Sequence, residues 1–384
     1  MNHTARSGGG ELALRLLIRH LDKSLVSHQL LFFEDGPIAE SLRPDTEVHI
    51  FPLSDNVLHA RKDTMGAMGF GNLRRLFSLP FFIVRLSRMI ASLDIDVVHT
   101  NSLKADILGG IAARLAGKRV VWHVRDRIAE DYLPSKTVQA FRRLARLIPH
   151  AIIANSRATL EALCLPHSNR RKAKHYPATV VHDGFDFAEL HEEQTVGGPE
   201  LVVGLVGRIA PWKGQDIFLR AIHRIHDEFP GARFRIIGSP LFGEEAYEGQ
   251  LHALCTEFGL TQCVEFCGFV RDVQRGIAEL DIVVHASTIP EPFGQVIIEG
   301  MAAGKPVIAS RGGGATEIVV DGVSGLLVPM SDPEALAEAM RSLFIDADLR
   351  ARLGAAGRQR VQESFRIEST AAKISHIYSE LCAR

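Results

Sequence analysis

Cysteine is scarce and unpatterned. The five cysteines, Cys164, Cys255, Cys263, Cys267 and Cys382, are odd in number and form no C-x-x-C pair. This excludes a disulfide framework and reads as reduced thiols in a cytosolic protein. Cys263 and Cys267 fall in a strand-like stretch, which argues against zinc. Long apolar runs are absent: none reaches the roughly 18–20 residues that span a bilayer. The first residues lack a charged-then-apolar leader, so the expected location is the cytoplasm. A basic excess is absent too. There are 44 Lys+Arg against 45 Asp+Glu, a formal net charge of −1, which excludes a general nucleic-acid binder. Trp (2) and Tyr (4) are rare beside 20 Phe, and there is no short-period repeat or low-complexity tract.

What is present is a globular composition: 46% hydrophobic and 23% charged residues. A length of 384 fits two domains. The neutral total is a cancellation. Residues 1–190 hold 26 Lys+Arg and 19 Asp+Glu, net +7, and residues 191–384 hold 18 and 26, net −8. Short Val/Ile-rich runs recur at 28–34, 47–53, 95–100, 119–124, 150–154 and 179–182, then at 201–207, 233–238, 263–267, 281–286, 305–309 and 325–328. Many are apolar throughout, as strands buried on both faces are. Amphipathic stretches lie between them; Ile217, Phe218, Ala221, Ile222 and Ile225 repeat at helical spacing. The chain is therefore read as α/β, with two Rossmann-like, doubly wound parallel-sheet domains facing a cleft. The polar segment 191–200, with Gly197, Gly198 and Pro199, is the expected linker. The expected divisions are 1–190, 191–365 and a C-terminal helix, 366–384, packing back on the first domain.

Two constellations carry chemistry. The first follows strand 201–207: Gly207, Arg208, then Lys213 and Gly214 before a helix expected near Gln215. A loop between a strand and a helix N-terminus suits a phosphate, and two cations add to it. It is neither a P-loop nor G-x-G-x-x-G. The second is 287–304, where Glu291 lies in a Pro-bracketed loop, Phe293-Gly294 lead into a helix, and Glu299 follows eight residues after Glu291. N–H groups of Gly294, Gln295 and Val296 suit a pyrophosphate. Glu299 suits ribose hydroxyls and Glu291 a sugar hydroxyl. Glu299 lies among Val296, Ile297, Ile298 and Met301, where a carboxylate needs a partner.

The pattern Gly-Arg-x4-Lys-Gly, followed by Glu-x7-Glu-Gly-Met-Ala-x-Gly-x-Pro-Val, resembles the retaining family-4-type glycosyltransferases (glycosyl transferases group 1) of the GT-B fold. The resemblance covers nearly the whole chain. Gly8, Gly9 and Gly10 are similar to the family's glycine loop, and 99–102, 154–157, 268–269 and 312–328 add support. It implies a nucleotide-sugar donor, UDP- or GDP-linked, on the second domain, and a glycan, lipid-linked or small-molecule acceptor on the first. It implies transfer with retention, and no cofactor or metal beyond the donor as co-substrate. Arg208 and Lys213 would stabilise the departing diphosphate. Glu291 would hold the sugar, Glu299 the ribose, and backbone near Phe269 and Val270 the base. His123, at the end of strand 119–124, is similar to a family His that meets a sugar hydroxyl. Arg125 and Asp126 are expected to pair. A sugar-nucleotide epimerase or phosphorylase on the same fold, and a non-catalytic nucleotide-sugar binder, are the alternative readings.

Asp94-Ile95-Asp96 has the form of a D-x-D metal motif but opens a strand, away from the ligand-facing end; no metal is expected. Gly322-Val323-Ser324-Gly325 reads as a turn, not a nucleophile elbow. Basic residues concentrate at 61–88 (Arg61, Lys62, Arg74, Arg75, Arg85, Arg88) and at 136–174 (Lys136, Arg142, Arg143, Arg146, Arg157, Arg170, Arg171, Lys172, Lys174). A helix is expected to start at Ser78-Leu79-Pro80, with an apolar stripe of Leu79, Phe82, Ile83, Leu86, Met89, Ile90 and Leu93. A basic amphipathic surface of this kind suits peripheral contact with an anionic inner leaflet. The resembled family begins with a strand before its glycine loop. Met1 to Ser7 do not read as a strand core, so that first strand is expected to be missing.

Overall fold

The computed structural model describes residues 1–6, 8–53, 73–165, 178–190, 200–241 and 243–383, with backbone only at 73–78. The linker expected at 191–200 lies, apart from Glu200, outside them. So do Arg61, Lys62, Arg170, Arg171, Lys172 and Lys174. The chain divides into two compact units, Met1–Gly184 with Ile367–Arg384, and Phe185–Arg366.

The first unit contains β1 (Gln29–Phe32), β2 (Glu47–Ile50), β3 (Val97–Thr100), β4 (Arg119–Val124), β5 (Ala151–Ala154) and β6 (Ala178–Val180). The pair β1-β2 and the ladder β3-β4-β5-β6 are parallel throughout. Between them lie Met1 and Asn2. Asn2 forms a parallel bridge with Phe32, its N–H donating to Leu31 O at 2.9 Å. The Met1 nitrogen donates to His99 O at 2.6 Å, and Asn101 N–H donates to Met1 O at 3.0 Å. The expected gap is therefore filled: residues before the glycine loop supply the ladder groups, as a single bridge rather than a strand.

Burial alternates along the strands. Leu31, Val98, Val120 and Trp122 face one apolar layer with Phe141 and Leu86. Leu30, Phe32, Val121 and Ile153 face the other with Leu17 and Ile374. Ile374 belongs to the C-terminal helix Ile367–Ala383, which packs on the helix Gly9–His20. The helix Leu73–Ser92 starts earlier than expected and keeps Pro80 inside it. Pro80 is exposed, and a proline there forgoes one backbone bond. Buried Phe82, Leu86 and Ile90 hold the helix to the sheet.

The second unit contains β7 (Val202–Val206), β8 (Arg233–Ile237), β9 (Val264–Gly268), β10 (Ile282–His285), β11 (Val307–Ser310) and β12 (Leu326–Val328). Their order is β12-β11-β10-β7-β8-β9, all parallel. Val203, Leu205, Phe234, Ile236 and Val284 face one layer, and Val202, Val206, Ile237, Val283 and Val307 the other. Two covered faces explain why these strands read as unbroken apolar runs. The connections run outward from β7 one way and from β10 the other. Such a sheet opens a crevice at the carboxyl ends of the two strands where the order reverses.

Candidate active site

The two sequence constellations meet at that reversal. β7 ends at Val206. Gly207 and Arg208 follow, then the single turn Pro211–Lys213, then the helix Gln215–Ile225. Phe218, Ile222 and Ile225 of this helix are fully buried, each worth roughly 1.5–3 kcal/mol in apolar burial. Gly214 turns the corner with φ +72°, close against the carbonyl of Ala286 just past β10. β10 ends at His285, and the loop to the helix Gln295–Ala302 carries Glu291.

Lys213 Nζ donates to Glu291 Oε1 at 2.5 Å. Ser287 Oγ donates to the same oxygen, also at 2.5 Å, and His285 Nε2 lies 3.2 Å from it. Glu291 is 7% exposed. Burial opposes its charge, yet Lys213 and His285 outweigh burial and hold the carboxyl well below its ordinary range. The loop is pinned by a bridge between Glu291 and Gly313, with Gly314 N–H donating to Glu291 O at 3.0 Å. Phe293 is buried and anchors the turn, and Gly294 caps the helix. Trp212 stacks under the cations: Lys213 Nζ is 4.5 Å, and the Arg208 guanidinium carbon 5.7 Å, from its ring centre. Arg208 Nε is 3.8 Å from Glu244.

Glu299 sits half-buried in the helix Gln295–Ala302. Burial pushes its carboxyl up from 4.5 to about 7, against a hydrogen bond from Gln295. The folded state thus keeps a proton that the unfolded chain releases. That stability is fully present below about 4.5 and is lost as pH rises through about 7. Glu299→Gln is expected to remove about 2–3 kcal/mol of this pH dependence, read by urea denaturation at pH 5 and pH 8. Phe269 and Val270 follow β9; Phe269 is 64% exposed.

The first unit gathers a second polar cluster. His123, on β4, is fully buried. Its Nδ1 lies 3.2 Å from His99 Nε2 and 3.4 Å from Arg125. Arg125 does not pair with Asp126 as its main partner. Its guanidinium forms a buried ion pair with Asp183, and its Nε donates to Asn101 Oδ1 at 2.8 Å. Asp183 is 58 residues away in sequence but beside Arg125 in the fold. Asn101 Nδ2 in turn donates to Gly10 O at 3.2 Å, tying the first turn of the helix Gly9–His20 to the end of β3; of the expected glycine loop, Gly9 and Gly10 are helical. Gly8 caps the helix Gly9–His20.

Two models match the chain: Glycosyltransferase Family 4 over residues 7–188 and Glycosyl transferases group 1 over residues 186–360. The chain belongs to the family-4, group 1 glycosyltransferases. Its two Rossmann-like parallel sheets are those of the GT-B fold. Among similar solved structures is Anabaena HepE in complex with UDP-glucose, with a TM-score of 0.83, 27% identity and 98% of each chain covered. The D-inositol 3-phosphate glycosyltransferase of Corynebacterium jeikeium is 32% identical over 205 residues, 52% of this chain and 48% of that protein. A GDP-mannose-dependent phosphatidylinositol monomannoside mannosyltransferase of Mycolicibacterium smegmatis is 26% identical over 322 residues, 78% of this chain and 80% of that protein. The alignments span about half the length of the first of these curated relatives.

Within this family's fold, the sequence pattern located Lys213 and Glu291, which the structure joins directly. It did not point to His285 and Ser287, although a polar residue closing the apolar run 281–286 is a signal. The supporting segment 99–102 includes Asn101 without giving it a role, and nothing local points to Asp183 or Tyr378; only the tertiary fold brings these side chains to Arg125 and His99. Among the described residues no three His, Cys, Asp or Glu side chains gather as metal ligands. Asp94 and Asp96 are both exposed ahead of β3. Cys263 and Cys267 are half-buried, and burial pushes both thiols up. Gly322 N–H donates to Gly325 O at 2.9 Å, closing a turn. Among the described residues no helix is long and apolar enough to cross a membrane.

Proposed function

We propose that this family member transfers a sugar, with retention at the anomeric carbon, from a UDP- or GDP-linked donor to a glycan, lipid-linked or small-molecule acceptor. The observation that carries the reading is the Lys213–Glu291 pair at the strand-order reversal. It joins a cation suited to phosphate with a carboxylate suited to sugar hydroxyls. HepE, a neighbour in fold, is solved with UDP-glucose, and the mycobacterial relative is named for GDP-mannose.

In this reading the bond from the anomeric carbon to the diphosphate oxygen breaks. Its electron pair leaves with the diphosphate, and the acceptor hydroxyl bonds the anomeric carbon from the same face while its proton passes to the departing diphosphate oxygen. Arg208 and Lys213 meet the growing negative charge with fixed positive charge, which needs no reorganisation during the reaction. The backbone from Phe293 through Gly294 and Gln295 to Val296 receives the pyrophosphate at a helix N-terminus, and Gly207, where the chain leaves β7, leaves room for the donor. Ser287, His285 and Lys213 all hold Glu291 by Oε1, so the carboxylate is oriented before sugar hydroxyls arrive. Glu299 accepts from ribose, and Phe269 with Val270 lies against the base. His123 donates to a substrate oxygen. The donor is a co-substrate, and the reading requires no metal.

The test is release of UDP from UDP-glucose, or of GDP from GDP-mannose, by the full chain with and without candidate acceptors. Acceptor-dependent release supports transfer. Binding without release points to a nucleotide-sugar binder, and acceptor-free conversion to an epimerase.

Peripheral membrane contact is part of the proposal. The helix Leu73–Ser92 buries Phe82, Leu86 and Ile90 but exposes Phe81 (65%) and Val84 (43%) beside Arg85 and Arg88. Apolar and cationic side chains on one outward face suit an anionic lipid surface, with about 1 kcal/mol per basic residue. Binding to phosphatidylserine-containing vesicles is expected to fall with added salt. The pair Arg85→Glu and Arg88→Glu should weaken it at least tenfold, and unchanged binding would count against this face.

A further inference from the structure

We infer that Tyr378 and His99 are positioning residues that hold the buried His123 ring as an Nε2–H donor for a substrate oxygen. The inference deepens the transferase reading and rests on it for the identity of that oxygen. The arrangement itself is geometric. Tyr378 lies on the C-terminal helix, 279 residues from His99, and its hydroxyl is 2.6 Å from His99 Nδ1. His99 Nε2 is 3.2 Å from His123 Nδ1. His99 pairs with Val121 across the β3–β4 ladder, so His123, two residues on, shares its face. The rings meet edge to face, with centroids 5.2 Å apart for the two histidines and 5.7 Å for His99 and Tyr378.

Arg125 decides the direction of this chain of bonds. Its guanidinium nitrogen is 3.4 Å from His123 Nδ1. A guanidinium has donors only, so His123 Nδ1 must be the acceptor. His99 Nε2 then carries the hydrogen that it gives to His123. A neutral His99 with Nε2–H accepts at Nδ1, and the hydroxyl of Tyr378 is the donor there. The reverse assignment would aim an Nδ1–H of His123 at Arg125. Both rings are held neutral: burial keeps each well below its ordinary range, reinforced at His99 by the charge of the chain's amino terminus and then of Arg125, and at His123 by Arg125 and then His99. Arg125 itself cannot swing away, being fixed by Asp183 and Asn101.

What remains is the far nitrogen. His123 Nε2 is buried and has no partner among the described residues. Leaving a buried donor unmet is costly, and a fold that orients such a donor through three side chains has a use for it. A hydroxyl or phosphate oxygen entering the site would satisfy it.

The test is long-range 1H–15N correlation of histidine rings in the full chain, with His99→Gln and His123→Gln used for assignment. No substrate is needed, so this result stands apart from the success or failure of the transferase reading. The wild-type chain should show both rings protonated at Nε2 and not at Nδ1. Tyr378→Phe removes only the hydroxyl and should shift the His99 tautomer ratio about fivefold or more. In a His99→Gln background, whose amide keeps a donor but has no tautomer, Tyr378→Phe should leave the His123 signals unmoved. A wild-type His123 protonated at Nδ1, or His99 signals unchanged by Tyr378→Phe, would overturn the inference.

Discussion

Lys213→Ala is expected to lower sugar transfer by about 10²–10³-fold, the usual cost of removing one preorganised group from a developing negative charge. It should also destabilise the second unit by about 3 kcal/mol, because it strands the buried Glu291 carboxylate. The two effects can be separated. Glu291 is held well below its ordinary range, so the ion pair's contribution is present above about 4.5 and is lost as pH falls through the folded value. The stability deficit of Lys213→Ala should therefore shrink on acidification. The double variant Lys213→Ala with Glu291→Gln removes the stranded charge and should regain most of the lost urea midpoint. It should not regain transfer, since neither the phosphate cation nor the sugar carboxylate is restored. Recovery of both together would mean that Lys213 is structural.

Gly214→Ala should be among the most damaging single-methyl additions in the second unit. Gly214 has φ +72°, and a Cβ there would lie 2.0 Å from the Ala286 carbonyl oxygen. Left-handed backbone and a clash with β10's end combine to about 3 kcal/mol or more. Gly259 provides the control. It has φ +71° but nothing within 4 Å of an added Cβ. Gly259→Ala should cost only the backbone strain, about 1–2 kcal/mol. Urea denaturation of the two variants measures the difference. Equal losses would show that the close approach between the Lys213 turn and β10 can relax freely.

Much of this fold was readable because its strands are buried on both faces. Twelve apolar runs correspond to β1 through β12, with ends displaced by one to three residues because strand pairing and hydrophobicity need not start and stop together. The helix with Pro80 was read too short because proline is a start signal locally, while the buried stripe of Phe82, Leu86 and Ile90 acts over a longer span. At the site, Lys213 and Glu291 were visible because each lies in a loop leaving a strand. Their mutual contact was not, because it depends on β7 and β10 being neighbours. The network around His123 was the least legible. Arg125 finds Asp183 and His99 finds Tyr378 across long sequence separations, and no local period connects them.

The central claim is that a nucleoside diphosphate lies where β7 and β10 diverge, on Arg208 and Lys213. Calorimetric titration of UDP and of GDP into the wild-type chain and into Arg208→Ala and Lys213→Ala tests it most directly. Saturable binding of one nucleotide to the wild type, weakened about tenfold or more in each variant, is the predicted result. Binding of neither nucleotide, or binding of equal strength in all three proteins, would contradict it.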